Sequence, residues 1–170
     1  MKTSQCTNNK RIALFQGSFD PFTRGHESIV KRALSTFDEV VVAVVNNSQK
    51  SYMFTKEMRM EIIKSTFRNE PRVKVVYGNG LTIDVAKEVG ACCLLRGVRS
   101  IQDFEYEMGN AEANRRFGGI ETLLMYTLPE MSHISSTMVR EWLKYGKDMT
   151  SYLPEGIDKE LLNTINKNEK

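Results

Sequence analysis

Ten residues near the amino end, GSFDPFTRGH from Gly17 to His26, gather a hydroxyl, a carboxylate, a guanidinium and an imidazole into one turn. The turn interrupts the apolar run IALFQ and leads into an amphipathic segment. Gly17 lets backbone approach a ligand with no side chain in the way. Ser18 adds a hydroxyl with an N–H beside it. Thr23 has the chemistry of a helix N-cap, which puts His26 in the first turn of the helix that follows. A helix N-terminus disfavours imidazolium, so His26 is expected to stay neutral and to donate one N–H. A neutral donor aimed at phosphate oxygens suits phosphoryl-type transfer. A histidine in a tight turn is more often a surface residue. Glycine on both sides and a nearby hydroxyl favour the chemical reading.

The elements that would position these groups follow from periodicity. RIALFQ, EVVVAVV, VKVVY, ACCLLR and ETLLMYTL are nearly continuous apolar runs, as in parallel strands covered on both faces. Helical spacing joins Ile29, Ala33, Leu34 and Phe37; Met60, Ile63 and Phe67; Leu81, Val85 and Val89; Phe104, Met108 and Ala111; Met138, Val139, Trp142 and Leu143; and Leu161, Leu162 and Ile165. Thr55 and Ser100 are expected caps, the latter with Asp103 as a capping box, and Gly90 suits a left-handed helix end. The alternation predicts an α/β, doubly wound, Rossmann-like sheet of five parallel strands with helices on both faces, in a single domain over 10–170 behind a polar, loose tail at 1–9.

Such sheets bind ligands beyond the carboxyl ends of their strands. The residues there are chemical: Gly17 to Asp20, a polar loop holding Lys50, Gly78 to Thr82, Arg96-Gly97-Val98-Arg99, and Ser132-His133-Ile134-Ser135-Ser136-Thr137. Two arginines at a helix start put positive charge on the positive end of a dipole, which is unfavourable without an anion. Cations and hydroxyls on one rim describe a phosphate site. In FEYEM, Phe104 and Met108 are expected in the core, while Glu105 and Glu107 are free to hold sugar hydroxyls or cations. One hydroxyl of ISST caps a helix, and the others can line a phosphate cradle. Arg115 and Arg116 read as a solvated or subunit-contact face.

The 170 residues carry a net charge of +3, with 41% hydrophobic and 26% charged residues. This is an ordinary globular balance, too weakly basic for a nucleic-acid binder and without aromatic residues interleaved for base stacking. No apolar run is long enough to span a bilayer, and MKTSQCTNNK lacks the apolar stretch of a signal peptide. The three cysteines form no framework, and Cys92 and Cys93 read as small core residues in a reducing compartment. Two histidines and no CxxC argue against a structural metal. GxxxxGK[ST], GxGxxG and GxSxG are all absent, so the natural inference is chemistry without a protein nucleophile.

Thr23-Arg24-Gly25-His26 after GSFDP resembles the TxGH signature of the nucleotidyltransferase α/β-phosphodiesterase superfamily. RGVRSIQDFEYE, ISST and the Lys50 loop narrow the resemblance to the bacterial phosphopantetheine adenylyltransferase family, over about Arg11 to Pro154. The resemblance implies transfer of the adenylyl group of ATP to 4′-phosphopantetheine, giving dephospho-coenzyme A and pyrophosphate, with magnesium bound along with ATP. It implies a cytoplasmic homohexamer built from two trimers. By position, His26 would stabilise the transition state, with Lys50 and Arg99 beside it as catalytic residues. Ser18, Phe19, His26, Gly97, Val98, Arg99, Glu107 and the segment Met131, Ser132, His133, Ile134, Ser135, Ser136 and Thr137 would meet ATP. Ser18, Lys50, Thr82 and Arg96 would meet phosphopantetheine. Ser18 stands where threonine is common, and Met131 where tryptophan is frequent.

Two other readings compete. A related adenylyl- or cytidylyltransferase could act on nicotinate mononucleotide or glycerol phosphate, although those often carry a second histidine where Thr23 stands. A non-catalytic nucleotide-binding regulator would keep the phosphate grip but would have no need of His26.

Overall fold

The computed structural model describes residues 10–46 and 51–167. The segment 1–9 and Lys50 therefore lie outside the described residues. The strands are β1 (Ile12–Gly17), β2 (Glu39–Val45), β3 (Val73–Gly78), β4 (Cys93–Val98) and β5 (Glu121–Tyr126). The helices are α1 (Arg24–Ala33), α2 (Lys56–Thr66), α3 (Thr82–Glu88), α4 (Ile101–Gly118), α5 (Ser136–Lys144) and α6 (Lys159–Asn166). Single 3-10 turns lie at Pro129–Met131 and Thr150–Tyr152. All strands pair parallel in one sheet of order β3-β2-β1-β4-β5.

The apolar runs are continuous because the sheet is covered on both faces. Ala13, Phe15, Val40, Val42, Val44, Cys93 and Leu95 join one core with residues of α1, α2, α5 and α6. Their neighbours Leu14, Val41, Ala43 and Leu94 join a second core with Val85 and Ala86 of α3. Each fully buried aliphatic side chain of this kind stabilises by roughly 1.5–3 kcal/mol. From β1 the chain steps one way to β2 and β3, and later the other way to β4 and β5. That reversal opens a crevice between the carboxyl ends of β1 and β4, where groups carried on separate loops can meet.

Caps define the helices that border this crevice. Thr55, Ser100 and Ser135 accept from the backbone N–H three residues on. Gly90, just past α3, has φ +67°. Asp103 completes no capping box with Ser100; its carboxylate accepts from Arg99 instead. Among the described residues, no helix is long and apolar enough to cross a membrane.

Four expected core positions are exposed. Leu81 precedes the first turn of α3 and is exposed, as is Trp142 on α5. Phe104 and Met108 are exposed on α4, whose single buried residue is Glu107. Helical spacing of apolar residues therefore marks the solvent side of α4, and its polar side faces the crevice. The strands also run further than expected at β4. Arg96 and Gly97 are strand residues rather than the start of a helix.

Candidate active site

β1 ends at Gly17, and the chain turns sharply because Phe19 adopts φ +47°, in the left-handed region that β-carbon-bearing residues seldom occupy. The Phe19 ring is thereby buried between those of Phe15 and Phe22, with centroids 5.3 and 5.2 Å away. A β-carbon on Gly17 would meet that ring at 2.9 Å. The glycine is required by the Phe19 ring, where the sequence reading had reserved the space for a ligand. Only the backbone of Phe19 is left to contact one. The buried Asp20 carboxylate accepts from the N–H groups of Met53 and Phe54, each at 2.9 Å, which ties this turn to the start of α2.

Thr23 caps α1, and His26 is its third residue. The Thr23 N–H donates to His26 Nδ1 at 3.0 Å, and the Thr23 hydroxyl lies 2.9 Å from the same nitrogen. A backbone N–H can only donate, so Nδ1 is the acceptor and the proton of the neutral ring sits on Nε2. Burial among Phe15, Phe19 and Phe22, followed by the charges of Arg99 and Arg96, lowers the His26 pKa to about 4. The ring is therefore neutral at pH 7, chiefly through desolvation rather than through the helix terminus invoked from sequence.

The two arginines are not uncompensated. Arg96, on β4, donates to Glu107 Oε1 and to the Gln16 carbonyl, both at 2.6 Å. Arg99 donates to Asp103 at 3.1 Å and to the Ile134 carbonyl at 3.1 Å. Carboxylates of α4 supply the counter-charge that had been assigned to a bound anion. Both guanidiniums keep part of their surface in solvent and are held in fixed orientations.

These groups converge on one crevice with two lobes. The first, about 400 Å³, is lined by His26, Arg99, Asp103 and the start of α5. The second, about 480 Å³, is lined by Asn46, Thr82, Asn110 and Asn114. Gln16, Gly17, Ser18, Arg96, Tyr106 and Glu107 line both, so the Arg96–Glu107 pair stands where the lobes meet. Thr82 accepts from Gln16 Nε2 at 2.8 Å. Gly97 and residues Ile134 to Thr137 also line the first lobe. Their hydroxyls are already engaged: Ser135 caps α5, Ser136 donates to the Pro21 carbonyl at 2.9 Å, and Thr137 accepts from Arg140 at 3.2 Å. What this loop presents to the lobe is the amino end of α5.

Other expected site residues stand apart. The Val98 side chain is buried in the fold and lines neither lobe. Met131, Ser132 and His133 also line neither. Ser132 donates to the Pro129 carbonyl, and the His133 ring packs edge-on against Tyr152. Glu105 is exposed on α4, and Glu107 is engaged with Arg96.

Sequence reasoning passed over Gln16, Asp103, Tyr106, Asn110 and Asn114. Four of these share one side of α4 with Glu107, at helical spacing. A search for a polar stripe, rather than an apolar one, would have found them.

A cytidylyltransferase-like family profile matches residues 14–142. The phosphopantetheine adenylyltransferase of Phocaeicola vulgatus is 51% identical over 147 residues, 86% of this chain and 97% of that protein. The enzyme of the same name from Porphyromonas gingivalis is 48% identical, over 86% of this chain and 96% of that protein. Among solved structures, a bifunctional NMN adenylyltransferase/ADP ribose pyrophosphatase from Francisella tularensis aligns with TM-score 0.67 at 16% identity. It covers 93% of this chain and 48% of that one, a likeness of fold.

Proposed function

From the premise that the chain belongs to the phosphopantetheine adenylyltransferase family, we propose how its residues divide the labour of moving the adenylyl group of ATP to 4′-phosphopantetheine, with dephospho-coenzyme A and pyrophosphate as products. The observation that carries this reading is the crevice itself. His26 reaches it from α1 and Arg96 and Arg99 from the end of β4, and it has one lobe for each of two anionic reactants.

The 4′-phosphate is anionic at neutral pH, so no general base is needed. One of its oxygens forms a bond to the α-phosphorus of ATP as the bond from that phosphorus to the β-phosphate oxygen breaks. The electron pair leaves with pyrophosphate. The obstacle is the repulsion between two polyanions brought into line. Arg96, at the meeting of the lobes, would offset it at the phosphopantetheine phosphate, with Lys50, Thr82 and Ser18. Arg99 would hold the nucleotide phosphates at the amino end of α5, where Ser135, Ser136 and Thr137 offer backbone N–H groups. His26 would donate from Nε2 to the oxygens that gain charge in the transition state.

Magnesium would enter with ATP. Among the described residues, no group of three or more histidines, cysteines, aspartates or glutamates could hold a metal ion. The carboxylates of the crevice, Asp103 and Glu107, are both ion-paired. This donor set fits a cation carried on the nucleotide's phosphates, where it would withdraw negative charge, and assigns it no protein ligand.

Exposed Ile101, Phe104 and Met108, which share one side of α4, supply an apolar surface that supports assembly into a homohexamer of two trimers. Light scattering on the purified protein tests the assembly. The cytoplasm, where coenzyme A is made, is the proposed location.

The test of function is pyrophosphate release from ATP and magnesium with phosphopantetheine as acceptor, with nicotinate mononucleotide and glycerol phosphate run in parallel. Release with phosphopantetheine alone is expected. Release only with another acceptor would reassign the substrate, and nucleotide binding without release would indicate a regulator.

A further inference from the structure

The side chain of Arg59 on α2 is 1% exposed, and it is the largest among those fully enclosed in the fold. Among the described residues it forms no ion pair with a carboxylate. Its Nη1 donates to the Ser18 carbonyl at 2.6 Å and, more weakly, to the Val45 carbonyl at 3.5 Å. Its Nη2 donates to Asn46 Oδ1 at 2.5 Å, and the guanidinium lies over the Tyr52 ring at 4.2 Å. Its Nε is buried without a hydrogen-bond partner among the described residues. A cation enclosed without a counter-charge and with one donor unsatisfied is costly, and a leucine or methionine could fill the inner side of α2. The guanidinium is explained by what it holds.

It holds the one strained point of the turn after β1. The Ser18–Phe19 peptide is trans, so its carbonyl and its N–H point in opposite directions. With the carbonyl drawn toward α2, the Phe19 N–H is turned the other way, and it meets no acceptor among the described residues. Ser18 and Phe19 both line the first lobe. Arg140 of α5 donates to the Asp20 carbonyl at 2.6 Å, which fixes the far end of the turn but presents no donor, because the Asp20–Pro21 peptide has no N–H.

We infer that Arg59 is a positioning residue: by holding the Ser18 carbonyl it aims the Phe19 N–H into the first lobe, as a fixed donor to a phosphate oxygen of the nucleotide. The inference rests on the adenylyl-transfer reading for its consequence on rate, but the aim of the N–H can be observed without turnover. Arg59 touches neither substrate; it acts through the Ser18–Phe19 peptide.

The experiment follows the Phe19 amide of the ¹⁵N-labelled full chain as α,β-methylene-ATP and magnesium are added. It also measures melting temperature, kcat and both KM values for the wild type, Arg59→Met and Arg59→Lys. In the wild type the Phe19 amide proton is expected to move downfield, as a new hydrogen bond to phosphate requires. In Arg59→Met, kcat is expected to fall about 10²-fold, the scale of a misplaced reacting group, with the KM for phosphopantetheine within about twofold. Arg59→Lys keeps a donor to Ser18 but loses the fork to Asn46, and its kcat should fall between the two. The inference is overturned if the wild-type Phe19 amide does not respond to the nucleotide. It is equally overturned if Arg59→Met melts as the wild type does and turns over normally, or if Arg59→Lys is no better than Arg59→Met. Where Arg59→Met does not fold, the wild-type amide decides. Absence of pyrophosphate release in the wild type would defeat the adenylyl-transfer reading, while the amide response would still report on the turn.

Discussion

Arg96 and Glu107 meet across the mouth of the crevice at 2.6 Å, one from a central strand and the other from the single buried position of α4. Glu107 has almost no contact with solvent, whereas Arg96 keeps about a third of its side chain exposed. The carboxylate therefore depends on the arginine for compensation, while the arginine can still face an incoming anion.

The pair is expected to act as a unit. Glu107→Gln should cost about 1–3 kcal/mol, because it leaves the guanidinium with only the Gln16 carbonyl as a strong acceptor. A chain of this size loses about 2–4 °C of melting temperature per kcal/mol. Combined with Arg96→Met, the losses should be less than additive. Thermal melts of the two single variants and the double variant check this, and strict additivity would mean that the residues do not interact.

Arg96→Ala removes the guanidinium shared by the two lobes. The KM for phosphopantetheine is expected to rise, with a smaller change in the KM for ATP. Steady-state kinetics with each substrate varied in turn would detect it. An unchanged KM for phosphopantetheine would remove Arg96 from that subsite.

His26→Ala is expected to keep the fold and ATP affinity while losing about 10²–10³ in turnover, the usual consequence of removing one donor to a developing charge. The ring also packs against three phenylalanines, so His26→Gln, which leaves less of a void, should share the kinetic loss at a smaller change in melting temperature. Calorimetric titration with ATP separates binding from turnover in both variants.

The pKa of His26 is lowered to about 4, against an ordinary value of 6.5. Between these values the unfolded chain binds a proton that the folded chain does not. The contribution of this residue to stability is therefore complete above about pH 6.5 and is lost as pH falls toward 4. A melting temperature that falls across this window in the wild type, and falls less in His26→Gln, is expected. An imidazole resonance titrating near 6.5 in the folded protein would contradict it.

Gly17 and Gly25 separate packing from composition. A β-carbon at Gly17 meets the Phe19 ring at 2.9 Å, whereas at Gly25 the nearest atom is the Thr23 hydroxyl oxygen at 3.7 Å. Gly17→Ala is expected to destabilise by about 1–3 kcal/mol and to reduce turnover, because the Phe19 turn must shift. Gly25→Ala, inside α1, should be neutral or stabilising by up to about 1 kcal/mol. Denaturant unfolding of both variants gives the comparison.

The five strands were legible because a parallel sheet with two covered faces demands unbroken apolar runs, and these runs appear as VVVAVV and CLL. α1, α2 and α6 were legible because their apolar stripes point into the core. α4 was misread for a physical reason. Its inner face borders the crevice and carries Asp103, Glu107, Asn110 and Asn114, so the apolar stripe that periodicity detects lies outside. Local spacing cannot say which side of a helix faces protein.

By itself the sequence determined the alternation of strands and helices, the order of the phosphate-friendly loops, and the family to which GSFDPFTRGH and RGVRSIQDFEYE point. These depend on residues close together in the chain, whose local conformations follow from their own types. The tertiary structure alone decided that Glu107 answers Arg96, that burial rather than a helix dipole keeps His26 neutral, and that Arg59 braces the turn after β1. Each depends on how the helices and loops pack on the sheet, whereas Asp103 answers Arg99 as a local i,i+4 pair, and the strength of every charge among them is set by how much water the fold leaves beside it.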